Sequence, residues 1–126
     1  MSGYPVRKLW RRNEFATEIE YEHALYLSWF GRVLMTTRLR VGERQAEFAE
    51  RLKLQPAKLS RLENGGVDFK ISMLLKIAVH MGADPRELLP DRQALEREAY
   101  AMSGGNRDLP GPGRLWRQKS DDKPNP

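Results

Sequence analysis

A chain of 126 residues with 22 Lys+Arg against 17 Asp+Glu carries a formal net charge of +5, and 40% of its residues are hydrophobic. That length suits one domain with tails around a modest helical core. The chain holds no cysteine, which excludes disulfides and thiolate metal sites, and no apolar run approaches the roughly 20 residues that span a bilayer.

The charge is unevenly placed. Residues 1–13 hold four basic and no acidic side chains, 14–31 four acidic and none basic, 32–66 eight basic against four acidic, and 104–126 five basic against three acidic. The positive excess falls on the middle of the chain and on its two ends. That is the footprint of a polyanion partner, although solubility alone could account for the ends.

Residues 1–13 set Arg7, Lys8, Arg11 and Arg12 around Leu9 and Trp10. They read either as a basic arm lying on a polyanion or as a disordered terminus; an aromatic such as Trp10 usually packs on something. No apolar stretch follows these basic residues, so no secretory signal is expected. From Asn13, a reasonable N-cap, the spacing predicts an amphipathic accessory helix over about 14–30, with acidic residues suiting its first turns. One apolar set is Phe15, Ile19, Tyr26, Phe30, Val33 and Leu34; a second is Tyr21, Leu25 and Trp29. Both sets could cover one small core, or one of them could meet a partner subunit. Gly31 is expected to weaken or bend the helix before a further one at about 32–41, which carries Arg32, Arg38 and Arg40.

Residues 44–65 read RQAEFAERLKLQPAKLSRLENG and carry the clearest signal. Gln45, Phe48, Ala49 and Leu52 recur at spacings of three and four, one face of a short helix. Pro56 suits the first turn of a second helix. Its Leu59 and Leu62 point one way, and Asn64-Gly65-Gly66 ends it. Two short helices joined by about three to four residues make a helix-turn-helix, and Ala49 is small enough to let them cross closely. The face opposite Leu59 and Leu62 presents Ala57, Lys58 and Arg61, with Ser60 and Asn64 at its flank. That set suits the DNA major groove: Arg61 can bond guanine through two parallel donors, Lys58 can reach a base edge or a phosphate, and Ala57 can touch a thymine methyl.

Residues 66–70 form a loop in which Lys70 could touch a phosphate and Phe69 joins the core. Residues 71–81 read as a helix with Ile71, Leu74, Leu75, Ala78 and Met81 on one side. Asp84-Pro85 starts the next helix, Leu88 and Leu89 close the core, and Pro90 ends it. Residues 91–103 could form one further helix with Ala94, Leu95, Ala99 and Met102 as its stripe, extending a dimer seam or packing beneath the N-terminal helix. From 104 to 126 the Gly- and Pro-rich composition without periodicity reads as a flexible tail, with Leu115 and Trp116 between Arg114 and Arg117 as a short docking motif. The division expected is therefore 1–31 as arm plus accessory helix, 32–90 as a DNA-binding helix-turn-helix domain, an extra helix at 91–103, and the tail.

Residues 32–89 resemble the phage-repressor and Cro type of helix-turn-helix, the lambda-repressor-like or XRE family. The residues that carry the resemblance are Gln45, Phe48-Ala49, Leu59-Ser60, Leu62-Glu63-Asn64-Gly65, Leu74 to Ala78, Gly82 and Leu88-Leu89. The resemblance implies an all-α fold of five short helices that binds operator DNA as a dimer. By position it implies that Gln45, Ser60 and Asn64 contact phosphates, that Ala57, Lys58 and Arg61 face bases, and that Arg38 pairs internally with Glu63. Arg44 reads as solvated or phosphate-facing. Two residues depart from the pattern. Lys53 stands where the family usually has Gly, so it must take a positive φ or the turn must shift. Gln55 replaces the usual Ser or Thr cap.

Three functions compete. The leading expectation is a sequence-specific repressor that binds double-stranded DNA as a homodimer on a near-palindromic site. It would need no cofactor and would be cytoplasmic and nucleoid-associated. The alternative is an antitoxin-like or phage-type regulator whose residues 14–31 or 104–126 bind a partner protein. An enzyme is the poorest fit. There is no Gly-rich phosphate loop and no acid–base set containing a histidine. His23 and His80 stand alone without metal spacing, and Glu43, Glu47 and Glu50 read as a solvated face.

Overall fold

The computed structural model describes residues 8–105, so residues 1–7, the expected flexible tail from 106 to 126 and its Trp116 motif lie outside the described residues. Five α-helices run in order: α1 (Glu18–Val41), α2 (Gln45–Arg51), α3 (Pro56–Glu63), α4 (Ile71–Met81) and α5 (Arg92–Met102). Short 3-10 turns occupy Arg12–Glu14 and Pro85–Leu88. The architecture is all-α, and among the described residues there is no strand. α1 packs on α3 and α5, α2 on α3, and α4 on the second 3-10 turn.

The largest departure from the sequence expectation is that α1 is a single helix of 24 residues. Asn13 does not cap it; it lies in the first 3-10 turn. Thr17 takes the cap, its Oγ1 accepting from the Glu20 amide at 3.0 Å. Gly31 neither ends nor divides the helix. A Cβ there would sit 2.1 Å from the Leu62 carbonyl oxygen and 2.7 Å from that of Glu63. Gly31 is therefore the point where α1 crosses the end of α3 backbone to backbone. Close packing offsets the roughly 1 kcal/mol that glycine costs in a helix interior.

A helix this long serves two neighbours, and its apolar face shifts along its length. Phe30 and Leu34 enter a main core with Phe48, Ala49, Leu52, Leu59, Leu62, Leu74, Ile77, Ala78 and Leu88. Tyr21 and Leu25 enter a second core with Leu95 and Ala99 of α5, capped by Trp10 and Phe15. Ile19 and Tyr26, expected inside, are exposed at 74% and 39%. The two predicted sets are thus sorted differently. Tyr21 and Leu25 of the second set are covered by α5, whose Ala94, Leu95, Ala99 and Met102 are all buried, while Trp29 is half-buried.

Residues 8–17 strap across this second core. The Trp10 amide donates to the Met102 carbonyl at 2.7 Å. The rings of Trp10, Phe15 and Tyr21 meet edge to face, with Trp10 and Phe15 centroids 5.1 Å apart. The part of the basic N-terminus from Lys8 onward is neither an extended arm nor a disordered end, because its aromatics are worth more against α1 and α5 than in water. Burial, with Glu18 and Glu22 adding to it, pushes the Tyr21 phenol up to about 12.

Two smaller corrections fall on α4 and the turn after it. Leu74, Ile77 and Ala78 are its buried residues, whereas Ile71 and Leu75 lie outside at 67% and 46% exposure. α4 is apolar almost all round, so periodicity does not fix its phase. Only the first of the Leu88-Leu89 pair is buried, since the chain leaves the 3-10 turn extended at Leu89. Asp84 caps that turn through the Arg86 amide at 2.9 Å.

Candidate nucleic-acid interface

Helices α2 and α3 are joined by residues 52–55. The joint is a glycine-type helix ending made without glycine. The Leu54 amide bonds the Ala49 carbonyl at 2.8 Å and the Lys53 amide bonds that of Glu50 at 3.1 Å, the paired bonds of a Schellman ending. Lys53 takes φ 59°, so of the two options open at this position the side chain accepts the left-handed conformation and the turn stays in place. The Lys76 ammonium of α4 donates to the Lys53 carbonyl at 2.9 Å and holds the turn from behind.

α3 starts at Gln55, whose side chain makes no capping bond, with Pro56 as its first residue. Leu59, Leu62 and Glu63 are its buried positions. Ala57 and Arg61 are exposed and Lys58 and Ser60 half-buried, so the helix turns an accessible cationic face outward. Neither Lys58 nor Arg61 has an ion pair or side-chain hydrogen bond among the described residues. α3 ends in a second Schellman ending, with the Gly66 amide bonded to the Arg61 carbonyl at 3.1 Å. Gly65 at φ +71° passes so close to α1 that a Cβ would meet the Ser28 Cα at 3.0 Å. The exposed Asn64 donates to the Ser60 carbonyl at 3.0 Å and closes the same end.

Glu63 fixes how this helix sits. Its side chain is fully buried and paired with Arg38 of α1, Nε to Oε2 at 2.7 Å and Nη2 to Oε1 at 3.1 Å. Arg38 also donates to the Glu43 carbonyl at 3.1 Å, and Gln45 Nε2 donates to Glu63 Oε1 at 2.9 Å. One carboxylate thus ties α1, the start of α2 and α3 together. Gln45, half-buried, spends one amide proton on this anchor and keeps the other. The Arg44 side chain is exposed, its guanidinium 3.8 Å from Glu47 Oε1, which accepts from the Arg44 amide at 2.9 Å. Glu43 lies before α2 and pairs with Arg51, so it does not share a solvated face with Glu47 and Glu50.

The loop after α3 is held at two points. Phe69 lies against Phe30 at a centroid distance of 4.5 Å, and His23 of α1 approaches Asp68, Nε2 to Oδ1 at 3.2 Å. The Phe69 amide and then His23 hold the Asp68 carboxyl below its ordinary value. Lys70 follows, exposed, as the N-cap of α4. His80 is exposed, and among the described residues no group of three or more His, Cys, Asp or Glu could hold a metal ion.

One cluster escaped the sequence reading. Arg32 and Glu98 form a second buried pair, Nε to Oε1 at 2.7 Å and Nη2 to Oε2 at 3.1 Å, with the Ser28 hydroxyl also donating to Glu98. It fastens α5 to α1. The available signal was Glu98 itself, which falls inside the apolar stripe of α5, where a solvated acid does not belong.

Residues 29–90 match the family described as a helix-turn-helix domain. No curated protein matches the chain. Among solved structures, the crystal structure of a hypothetical transcription factor, NHTF, from Neisseria is similar at 22% identity, covering 71% of this chain and 90% of that one with a TM-score of 0.47. No helix of the described residues is long and apolar enough to cross a membrane. The paired helices with an outward cationic face coincide with the family match, so residues 29–90 form a helix-turn-helix domain.

Proposed function

We propose that the chain is a transcription regulator that represses by occlusion, seating α3 in the major groove of double-stranded DNA as a homodimer on a near-palindromic operator. The observation that carries this reading is the contrast in arginine partners. Arg32, Arg38, Arg51 and Arg86 are paired with carboxylates, whereas Arg61 and Lys58 stand on the outer face of α3 with no such partner among the described residues. Two protomers would set their α3 helices about 34–36 Å apart in successive grooves. Arg61, Lys58 and Ala57 face the bases, and a good bidentate contact is worth about 1–3 kcal/mol of discrimination. Gln45, Ser60, Asn64, Arg44 and Lys70 contact phosphates and hold register. Affinity falls with salt at a log–log slope of about −0.9 per neutralised phosphate. Such a protein works on the nucleoid in the cytoplasm.

The second reading is a regulator whose residues 14–31 or 104–126 bind a partner protein; on the first of these segments α5 covers Tyr21 and Leu25, while Ile19 and Tyr26 stay exposed.

Selection from random duplexes tests the proposal. Arg61→Ala should relax preference at one base pair, and Gln45→Ala should weaken every sequence alike. Both variants binding the selected site like wild type would overturn this docking mode.

A further inference from the structure

Two of the chain's three tryptophans stand in the same four-residue setting. Lys8-Leu9-Trp10-Arg11 opens the strap over the second core, and Arg114-Leu115-Trp116-Arg117 lies outside the described residues; both read cation, Leu, Trp, Arg. The fold shows what the first of them binds. The Trp10 ring meets those of Phe15 and Tyr21 at centroid distances of 5.1 and 6.3 Å, and the Trp10 amide donates to the Met102 carbonyl. Leu9 lies against Gly104, where an added Cβ would come within 2.8 Å of its Cδ1. Glu14 takes the cationic flank: its carboxylate accepts from the Arg11 amide at 3.1 Å and lies 3.8 Å from the Lys8 ammonium. These contacts draw on a cation, a leucine, an indole and main-chain N–H groups, and the second segment carries each of them.

We propose that Arg114-Leu115-Trp116-Arg117 binds this same site, in exchange with Lys8-Leu9-Trp10-Arg11 of its own chain. Likeness to the present occupant, the path of the chain and the state of the site all favour that segment. The described chain ends at Gly105, just past the Met102 and Gly104 that touch Trp10 and Leu9. About eleven residues lead from there to Trp116, a span of up to about 36 Å when extended, and Pro110-Gly111-Pro112-Gly113 supplies the residues that turn a chain back. Charge agrees as well, since residues 14–31 hold four acidic side chains and none basic, beside a segment with a cation on either side of its Leu-Trp. The present occupant does not close the site. Trp10 is only half-buried and Leu9 is 52% exposed. The Tyr21 hydroxyl is buried without a hydrogen-bond partner among the described residues. A terminal segment held by so few buried contacts opens at low cost. The exchange decides which of the chain's two basic ends is held against α1 and α5.

NMR on the full chain tests the exchange. In Trp10→Ala the Trp116 indole should show nuclear Overhauser contacts to the rings of Phe15 and Tyr21, and amide exchange on α5 should quicken by less than about threefold. Trp10→Ala combined with Trp116→Ala should quicken it by at least about tenfold, more than the two single changes together. Absence of those contacts in Trp10→Ala, or a double variant no worse than Trp10→Ala, overturns the proposal. Contacts that strengthen with protein concentration would place the segment on a second copy and overturn it too. Should Trp10→Ala fail to fold, Trp116→Ala is titrated with a synthetic peptide of residues 106–126 to about 1 mM, the local concentration that a short tether sets. Shifts at Trp10, Phe15 and Tyr21 then support the exchange, and unmoved resonances overturn it. None of these readouts involves DNA, so the result stands whether or not α3 binds a duplex.

Discussion

Helix α1 carries two buried arginine–glutamate pairs, and the two regions they hold differ in kind. Arg38 with Glu63 lies inside the helix-turn-helix domain and locks α3 against α1 and α2. Arg32 with Glu98 lies six residues earlier on the same helix and fastens α5, beside a second core closed by residues 8–17. The first pair sets the orientation of α3, the helix proposed to meet DNA. The second holds an added layer, α5, against α1. Similar bonds therefore do different work according to what they join.

Breaking each pair in turn separates the two roles. Removing one partner of a buried pair costs about 3–5 kcal/mol, because the other charge is stranded. Glu63→Ala should lower the whole denaturant transition by that amount and abolish DNA binding. Glu98→Ala should cost a similar amount but expose α5 and residues 8–17 first, leaving binding at half-saturating DNA within about twofold when measured below the transition. Amide exchange on α5 distinguishes the cases. Equal loss of binding in both variants would mean the two regions are one cooperative unit.

A smaller effect sharpens the comparison from the turn side. Lys53 holds a left-handed conformation that costs a side-chain residue about 1 kcal/mol. Lys53→Gly should recover about 1 kcal/mol of stability without altering base preference, read from a thermal melt and a binding titration. A fall in stability would show that the Lys53 side chain contributes more than its backbone strain removes.

The same division marks what the sequence made legible. The α2–turn–α3 unit reads directly, because amphipathic spacing, Pro56 and the Asn64-Gly65 ending all agree; at Lys53 the sequence leaves a positive φ or a shifted turn, and the structure shows the positive φ. The added layer reads poorly. Gly31 resembles a helix break, and only the carbonyls of Leu62 and Glu63 lying against it show that it permits a crossing. The apolar residues of α1 fall on two faces because they serve two cores, and periodicity alone does not say which residue goes to which. Glu98 stands out within the apolar stripe of α5, but its partner Arg32 lies 66 residues away and only the fold brings the two together. In α4 the apolar residues run almost all round, so Leu75 and Ile77 exchange places between prediction and structure.

If the outward face of α3 meets duplex DNA and the α5 layer does not, the two regions respond differently when DNA is added. Backbone amide shifts followed by NMR during titration with the selected duplex measure this most directly. Perturbations should concentrate on residues 44–45, 55–66 and 70, with α5 and the 8–17 strap quiet. Shifts centred on α5 or the strap, with α3 unmoved, would contradict it.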